Sequence, residues 1–224
     1  MEARWVAAAL TLVAAVGSTA AARRDPAGPA GRAIRYGLAT VLLGGVTAYL
    51  LAEAWTGRLS AWDFLPLHLC DFAIFLAAWA LLTRSRGAAE LVWFWAMSGT
   101  VLAIVTPDAP AAFPDWRWLA YFTMHGAVVT SAAVLALGIG LAPRPGGPWR
   151  AFGWTALYAT LVGAVDWATG ANYLFLRHKP ARPTLLDLFG PWPLYIAVAG
   201  LVGLGLFWLL YLPFRGRRSI PASP

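Results

Sequence analysis

The chain has 224 residues, 60% of them hydrophobic and only 12% charged, with a formal net charge of +7. Soluble domains carry roughly 25% charged residues, so this composition excludes an ordinary soluble fold and defines an integral membrane protein. The basic residues fall in short loops between apolar runs and form neither a stripe nor a motif, which argues against a nucleic-acid partner. The single cysteine excludes an intrachain disulfide and an all-cysteine metal site, and the 13 tryptophans suit membrane interfaces.

In chain order, the first apolar segment runs from Trp5 to Ala22, just long enough to span. Arg4 before it and small residues at its end resemble a signal peptide, but a retained helix is the favoured reading. After a Gly/Pro/Arg-rich loop, Arg23 to Arg32, the second span runs from about Ile34 to Trp55 and carries Glu53 near its end. The third is Leu65 to Thr83, and the fourth is Ala88 to Thr106, stopped by Pro107-Asp108-Ala109-Pro110. The fifth is Trp116 to Leu141 and the sixth Trp149 to Gly170. A polar loop, Ala171 to Phe189, precedes the seventh, Pro191 to Leu212, and a basic tail with Arg215, Arg217 and Arg218. The reading is an all-α, polytopic bundle of seven transmembrane helices forming one domain over residues 1–224. Lys and Arg concentrate in the loops after spans one, three and five and in the tail, which assigns the C-terminus to the cytoplasm and the N-terminus to the outside.

The third span opens on Leu65-Pro66-Leu67-His68-Leu69-Cys70-Asp71, which puts a thiol, an imidazole and a carboxylate at the start of an apolar helix. Ionisable groups at membrane depth are costly and point to function. A buried cysteine is also a small inert hydrophobe, and Asp71 also suits the positive end of a helix. With a rise of 1.5 Å per residue, Cys70 lies roughly 7 Å, His125 roughly 13 Å and Asp166 roughly 6 Å below the outer ends of their spans. Glu53 and Asn172 belong to the same end. Distant parts of the chain thus bring a Cys, a His and an Asp to one leaflet.

On a regular helix His68 and Cys70 point about 200° apart, whereas His68 and Asp71 share a face. A base for Cys70 therefore comes from another helix, and His125 is the candidate. Gly126 beside it leaves room for a close helix or ligand. An interhelical hydrogen bond is the competing role for His125. Asp166 either locks the sixth span through a backbone or polar partner or orients His125 as in a Cys-His-Asp relay; Asp71 either fills that second role instead or repels a developing thiolate. His178, between Arg177 and Lys179, reads as solvated or headgroup-facing, Gly99 and Gly163 as packing residues, and Trp93-Phe94-Trp95 as a packed or lipid-facing surface.

The last span lacks the lysine of a retinal protein, since the chain's one lysine is Lys179 in a loop. Neither an HExxH motif nor a P-loop is present. No metal and no cofactor are expected.

The segment Leu65 to Cys70, then Thr106-Pro107-Asp108, His125-Gly126, Asn172-Tyr173, Leu185-Leu186-Asp187, Gly190-Pro191-Trp192-Pro193 and Tyr195 resemble the YwaF-like family of bacterial membrane proteins. That family is similar to an animal transmembrane (TMEM) acyltransferase that moves fatty acyl groups between phospholipids. The resemblance implies a bacterial cytoplasmic membrane, with Cys70 as the acyl-accepting cysteine and His125 as the essential histidine. It also implies kinship with membrane hydrolases that use Thr and His in a similar helical core. Leu102 departs from the pattern, where many members carry Gln.

The expected function is a lipid acyltransferase, or a closely related hydrolase, acting on membrane phospholipids or lysolipids. Cys70 and His125 would carry the chemistry, with His68, Asp71 and Asp166 supporting, and Glu53, Asn172 and Tyr173 as weaker substrate-binding or oxyanion candidates. The alternative is a non-catalytic lipid or small-molecule carrier, or a receptor-like membrane protein, which would not need a reactive thiol.

Overall fold

The computed structural model describes residues 2–58, 65–180 and 184–216. Asp63, Arg182, Arg217 and Arg218, which bear on the sequence-based topology, lie outside the described residues. Among those described, the chain forms seven α-helices and no strand. They are α1 (Glu2–Arg24), α2 (Pro29–Trp55), α3 (Leu69–Thr83), α4 (Arg86–Val105), α5 (Trp116–Gly138), α6 (Gly147–Thr169) and α7 (Leu194–Tyr211). Two of them contain π-helical turns, Ala96–Thr100 in α4 and Val134–Gly138 at the end of α5.

Five helices (α1, α2, α4, α5 and α7) are long and apolar enough to cross a membrane. The other two of the seven expected spans are apolar helices outside that set. α3 has 15 residues, roughly 22 Å of helix against a hydrocarbon core of roughly 30 Å. It starts at Leu69 rather than Leu65 because Pro66 disfavours helical backbone in the residue before it, and His68 is still extended (φ −66°, ψ 146°). α6 has the length, 23 residues, but Arg150 and Asp166 and several Gly and Thr residues dilute its apolar character.

The chain divides into two compact units, Met1–Ala142 and Pro143–Pro224. In the first, α5 is the most buried of the five spanning helices and packs against α1, α2, α3 and α4. Neighbours along the chain alternate in direction. Arg35 near the start of α2 donates to the Leu81 carbonyl near the end of α3 (2.6 Å), and Tyr49 near the end of α2 meets Trp116 at the start of α5 (5.5 Å). The Trp93-Phe94-Trp95 cluster of α4 is buried, so it is packed core rather than lipid-facing surface.

Helix α1 runs parallel to α5. Thr11 lies opposite Gly126, and Ala22 opposite Gly138. A Cβ on Gly126 would sit 2.7 Å from Thr11 Oγ1, and that hydroxyl is tied to the Ala7 carbonyl (2.9 Å) and cannot swing aside freely. The room beside His125 is thus filled by a helix. Gly126→Val is expected to destabilise the fold by about 1–3 kcal/mol through overpacking, read as a lower midpoint of thermal unfolding in detergent. An unchanged midpoint would contradict this close approach.

Asp115 caps α5. Its carboxylate accepts from the Arg117 main-chain N–H (2.8 Å) and from the Arg117 side chain (3.2 Å). The Arg117 side-chain hydrogen bond is the chief cause holding the Asp115 carboxyl below its ordinary value of 3.8. A carboxyl depressed in the folded state contributes stability above its unfolded pKa and loses it as pH falls through the folded value. The cap of α5 therefore weakens only in acid, below about 3.8. Arg117→Gln is expected to raise the Asp115 titration midpoint, read by carboxyl NMR; no upward movement would contradict the pairing.

In the second unit α6 and α7 are antiparallel, with Trp149 against Trp208 (6.3 Å). Their connection holds two short 3-10 turns, Tyr173–Phe175 and Leu185–Phe189.

Candidate functional site

Cys70 is the second residue of α3 and is partly buried. Helix α3 packs on the π-helical turn of α4 and on α5. The Thr100 hydroxyl, from the last residue of that π turn, lies within hydrogen-bonding reach of the Cys70 sulfur. Thr100 is fully buried, at 1% exposure. Sequence reasoning missed it because one Thr in an apolar helix carries no signal, and the π turn that aims it has no sequence signature.

His68 precedes the helix as its N-cap, so the spacing of 100° per residue does not set its direction relative to Cys70. His68 and Asp71 interact electrostatically at the start of α3.

His125 lies on α5, about two and a half turns after its start. Its Nδ1 faces the main-chain carbonyl of Tyr121, one turn earlier (2.8 Å). A carbonyl only accepts, so in the neutral ring Nδ1 carries the hydrogen and Nε2 carries the free lone pair. The Tyr121 ring also stacks on the imidazole, with centroids 4.1 Å apart and planes 29° apart. Tyr121 is itself anchored: its hydroxyl donates to the Ala103 carbonyl (3.0 Å) and lies near the Asp108 main chain. Tyr121 also lies close enough to Cys70 and Asp71 to interact with their charges. The orienting group for His125 is thus the carbonyl and ring of Tyr121, which a search for a carboxylate overlooks.

In the first unit, then, Tyr121 of α5 lies near Cys70 and Asp71 at the start of α3, and His125 stacks on Tyr121, where α5 packs against α3 and α4. Elsewhere in this unit, Glu53 is buried near the end of α2, with Oε2 3.6 Å from Arg58 Nε and Oε1 without a hydrogen-bond partner.

In the second unit Asp166 is fully buried, and its Oδ1 accepts from the Tyr173 main-chain N–H (2.9 Å). That contact ties the end of α6 to the following loop, as its structural reading anticipated. Oδ2 has no hydrogen-bond partner. Asn172 organises the loop: its side-chain oxygen accepts from the main-chain N–H groups of Arg177 (3.0 Å) and His178 (3.1 Å). Its amide nitrogen donates to the His178 carbonyl (2.9 Å) and faces His178 Nδ1 (3.1 Å). His178 is exposed, as expected, but held by this loop. Tyr173 is buried. A Cβ on Gly99 or Gly163 would make only ordinary contacts, with Leu69 (3.9 Å) and Leu176 (3.5 Å).

Long apolar helices around a small polar cluster define a polytopic helical membrane protein. The family model of the TMEM164 family matches residues 2–211, nearly the whole chain, and the protein belongs to that family. No curated protein and no solved structure matches it.

Proposed function

We propose that the protein is a membrane lipid acyltransferase, with a lipid acyl hydrolase as the nearest chemical variant. The observation that carries this reading is an imidazole whose Nδ1 is held by the Tyr121 carbonyl, leaving Nε2 as a base, on a helix that packs against the one bearing the chain's only cysteine. Membership of the TMEM164 family is compatible with it.

In this mechanism Nε2 of His125 takes the Cys70 thiol proton, and the thiolate attacks an ester carbonyl of a phospholipid. The acyl C–O bond breaks, His125 returns the proton to the departing alkoxide, and a lysolipid leaves behind an acyl-cysteine. A second lipid hydroxyl then loses its proton to His125 and attacks the thioester. The C–S bond breaks and the thiolate recovers the proton. Covalent catalysis divides one hard transfer into two easier steps, and an imidazole titrating near neutrality serves both directions. Water in place of the lipid hydroxyl gives the hydrolase.

All seven helices cross a bacterial cytoplasmic membrane in this proposal, with the N-terminus outside. The parallel course of α1 and α5 supports the alternation. The shortness of α3 supports a thiol set below the membrane surface, at the depth of lipid ester groups.

Exchange in proteoliposomes tests the reading. A phospholipid with a deuterated acyl chain is mixed with an unlabelled lysophospholipid, and the label is followed into new diacyl lipid. Transfer by the wild type that is lost in Cys70→Ala is the expected result. Absence of both transfer and label release as free fatty acid across a broad lipid panel would overturn it.

A further inference from the structure

We propose that the Thr100 hydroxyl is the thiolate-holding donor of this site, stronger toward the sulfur when it is charged than when it is a thiol. Its part in acyl transfer rests on the function proposed above; the pairing itself does not.

Hydroxyls in this fold usually turn back onto their own helix. A buried hydroxyl requires a hydrogen-bond partner, and in a helix the nearest is the carbonyl four residues back. Thr11, Thr47, Thr83, Ser98, Thr106 and Ser131 all take that route, at 2.6–2.9 Å. Ser98 lies on the same helix two residues before Thr100, and Thr106 caps its end. Thr100, equally helical and fully buried, has no such bond to its own helix and instead has the Cys70 sulfur on α3 within hydrogen-bonding reach.

The backbone explains the exception. Ala96–Thr100 is a π-helical turn, closed by the Val101 N–H on the Ala96 carbonyl. Such a turn holds one extra residue and rotates the rest of the helix by roughly 100° relative to an uninterrupted one. Thr100 is the residue that this rotation turns toward α3. The neighbouring pair agrees: Gly99 approaches Leu69, one residue before Cys70, so two consecutive residues of α4 meet two consecutive residues of α3. π turns are uncommon and recur at functional sites.

The chemistry comes from the sulfur. A thiol sulfur is a weak acceptor, so a buried hydroxyl committed to it is poorly satisfied in the resting state. A thiolate accepts a charge-assisted bond that is about twice as strong. The interaction is therefore worth most in the state that reacts, which is the condition for lowering a barrier rather than merely binding. It serves both half-reactions, since Cys70 is the attacking thiolate in the first and the departing thiolate in the second. The Thr100 hydrogen stays on its oxygen throughout, and the transferred proton travels on His125.

The test uses the fact that Cys70 is the only cysteine. Full-length protein in detergent is treated with N-ethylmaleimide, and the single adduct is followed by intact mass, with no lipid substrate. Thr100→Val keeps the shape and removes the hydroxyl; Thr100→Ser keeps the hydroxyl. Thr100→Val is expected to alkylate about tenfold more slowly, the scale of a hydrogen bond to a charged group, and Thr100→Ser within about threefold of wild type. Urea-unfolded samples of all three should react alike. A Thr100→Val rate equal to wild type, or a Thr100→Ser rate as slow as Thr100→Val, would overturn the inference. Acyl exchange on the same proteins separates the two levels. If alkylation shows the expected order while the wild type transfers no acyl group, the pairing stands and the proposed function falls. If both hold, Thr100→Val lowers kcat with little change in KM.

Discussion

Cys70→Ala is expected to abolish acyl transfer while leaving a folded protein. The thiolate is the group that forms and breaks the bond to the acyl chain, so no residual route through the same intermediate remains. A drop of about 10³-fold or more is the scale expected when a covalent nucleophile is removed. The structural cost is small: Cys70 is only partly buried and occupies the first turn of α3, away from the buried run that begins at Ala73. Replacing the thiol by a methyl group there removes one heavy atom and a weak acceptor. Thermal unfolding close to wild type, with transfer lost, separates the chemical role from a packing role. Cys70→Ser sharpens the comparison, because a serine hydroxyl preserves volume and hydrogen bonding but is far harder to ionise. Transfer retained in both variants would favour a carrier that has no use for a reactive thiol.

His125→Ala is expected to slow formation of the acyl-enzyme by about 10²–10⁴-fold, the range for loss of a positioned general base. Here the structure adds a control. Tyr121 holds the imidazole through a carbonyl and a stacked ring, and its own hydroxyl is anchored to the Ala103 carbonyl of α4. His125→Ala removes the base while leaving that anchor in place, so the bundle retains its packing and the loss falls on proton transfer. Tyr121→Phe gives the complementary case, with the base present and its support loosened. An acylation rate in His125→Ala equal to wild type would remove histidine from the mechanism.

Much of the fold is legible in the sequence because each helix is a long apolar run closed by Pro, Gly or basic residues. The helix ends are less so, since they depend on local backbone conformation. α2 begins at Pro29, five residues before Ile34, because Pro fits the first turn of a helix. α3 begins four residues after Leu65 because the chain leaves Pro66 extended through His68. The site is legible in its ionisable members, Cys70, Asp71 and His125, which stand out against apolar surroundings. Its neutral members are not. Thr100 and Tyr121 are ordinary residue types for a membrane helix, and they acquire their roles from a π turn and an i−4 carbonyl. The sequence also favours looking for a carboxylate behind the histidine, whereas the fold supplies a main-chain carbonyl that no residue type reveals. Asp166 shows the converse: a conspicuous acid in the sequence, and in the structure the anchor of the Tyr173 loop.

The most direct test of acyl transfer through Cys70 is the intact mass of the purified protein after incubation with mixed phospholipids, beside Cys70→Ala and His125→Ala, with product lipids read from the same samples. Transfer through the thiol predicts a fatty-acyl increment on wild type, absent from Cys70→Ala and slower to form in His125→Ala. An increment that persists in Cys70→Ala, or exchanged acyl chains that never pass through an adduct on Cys70 even in samples quenched within a turnover, would contradict it.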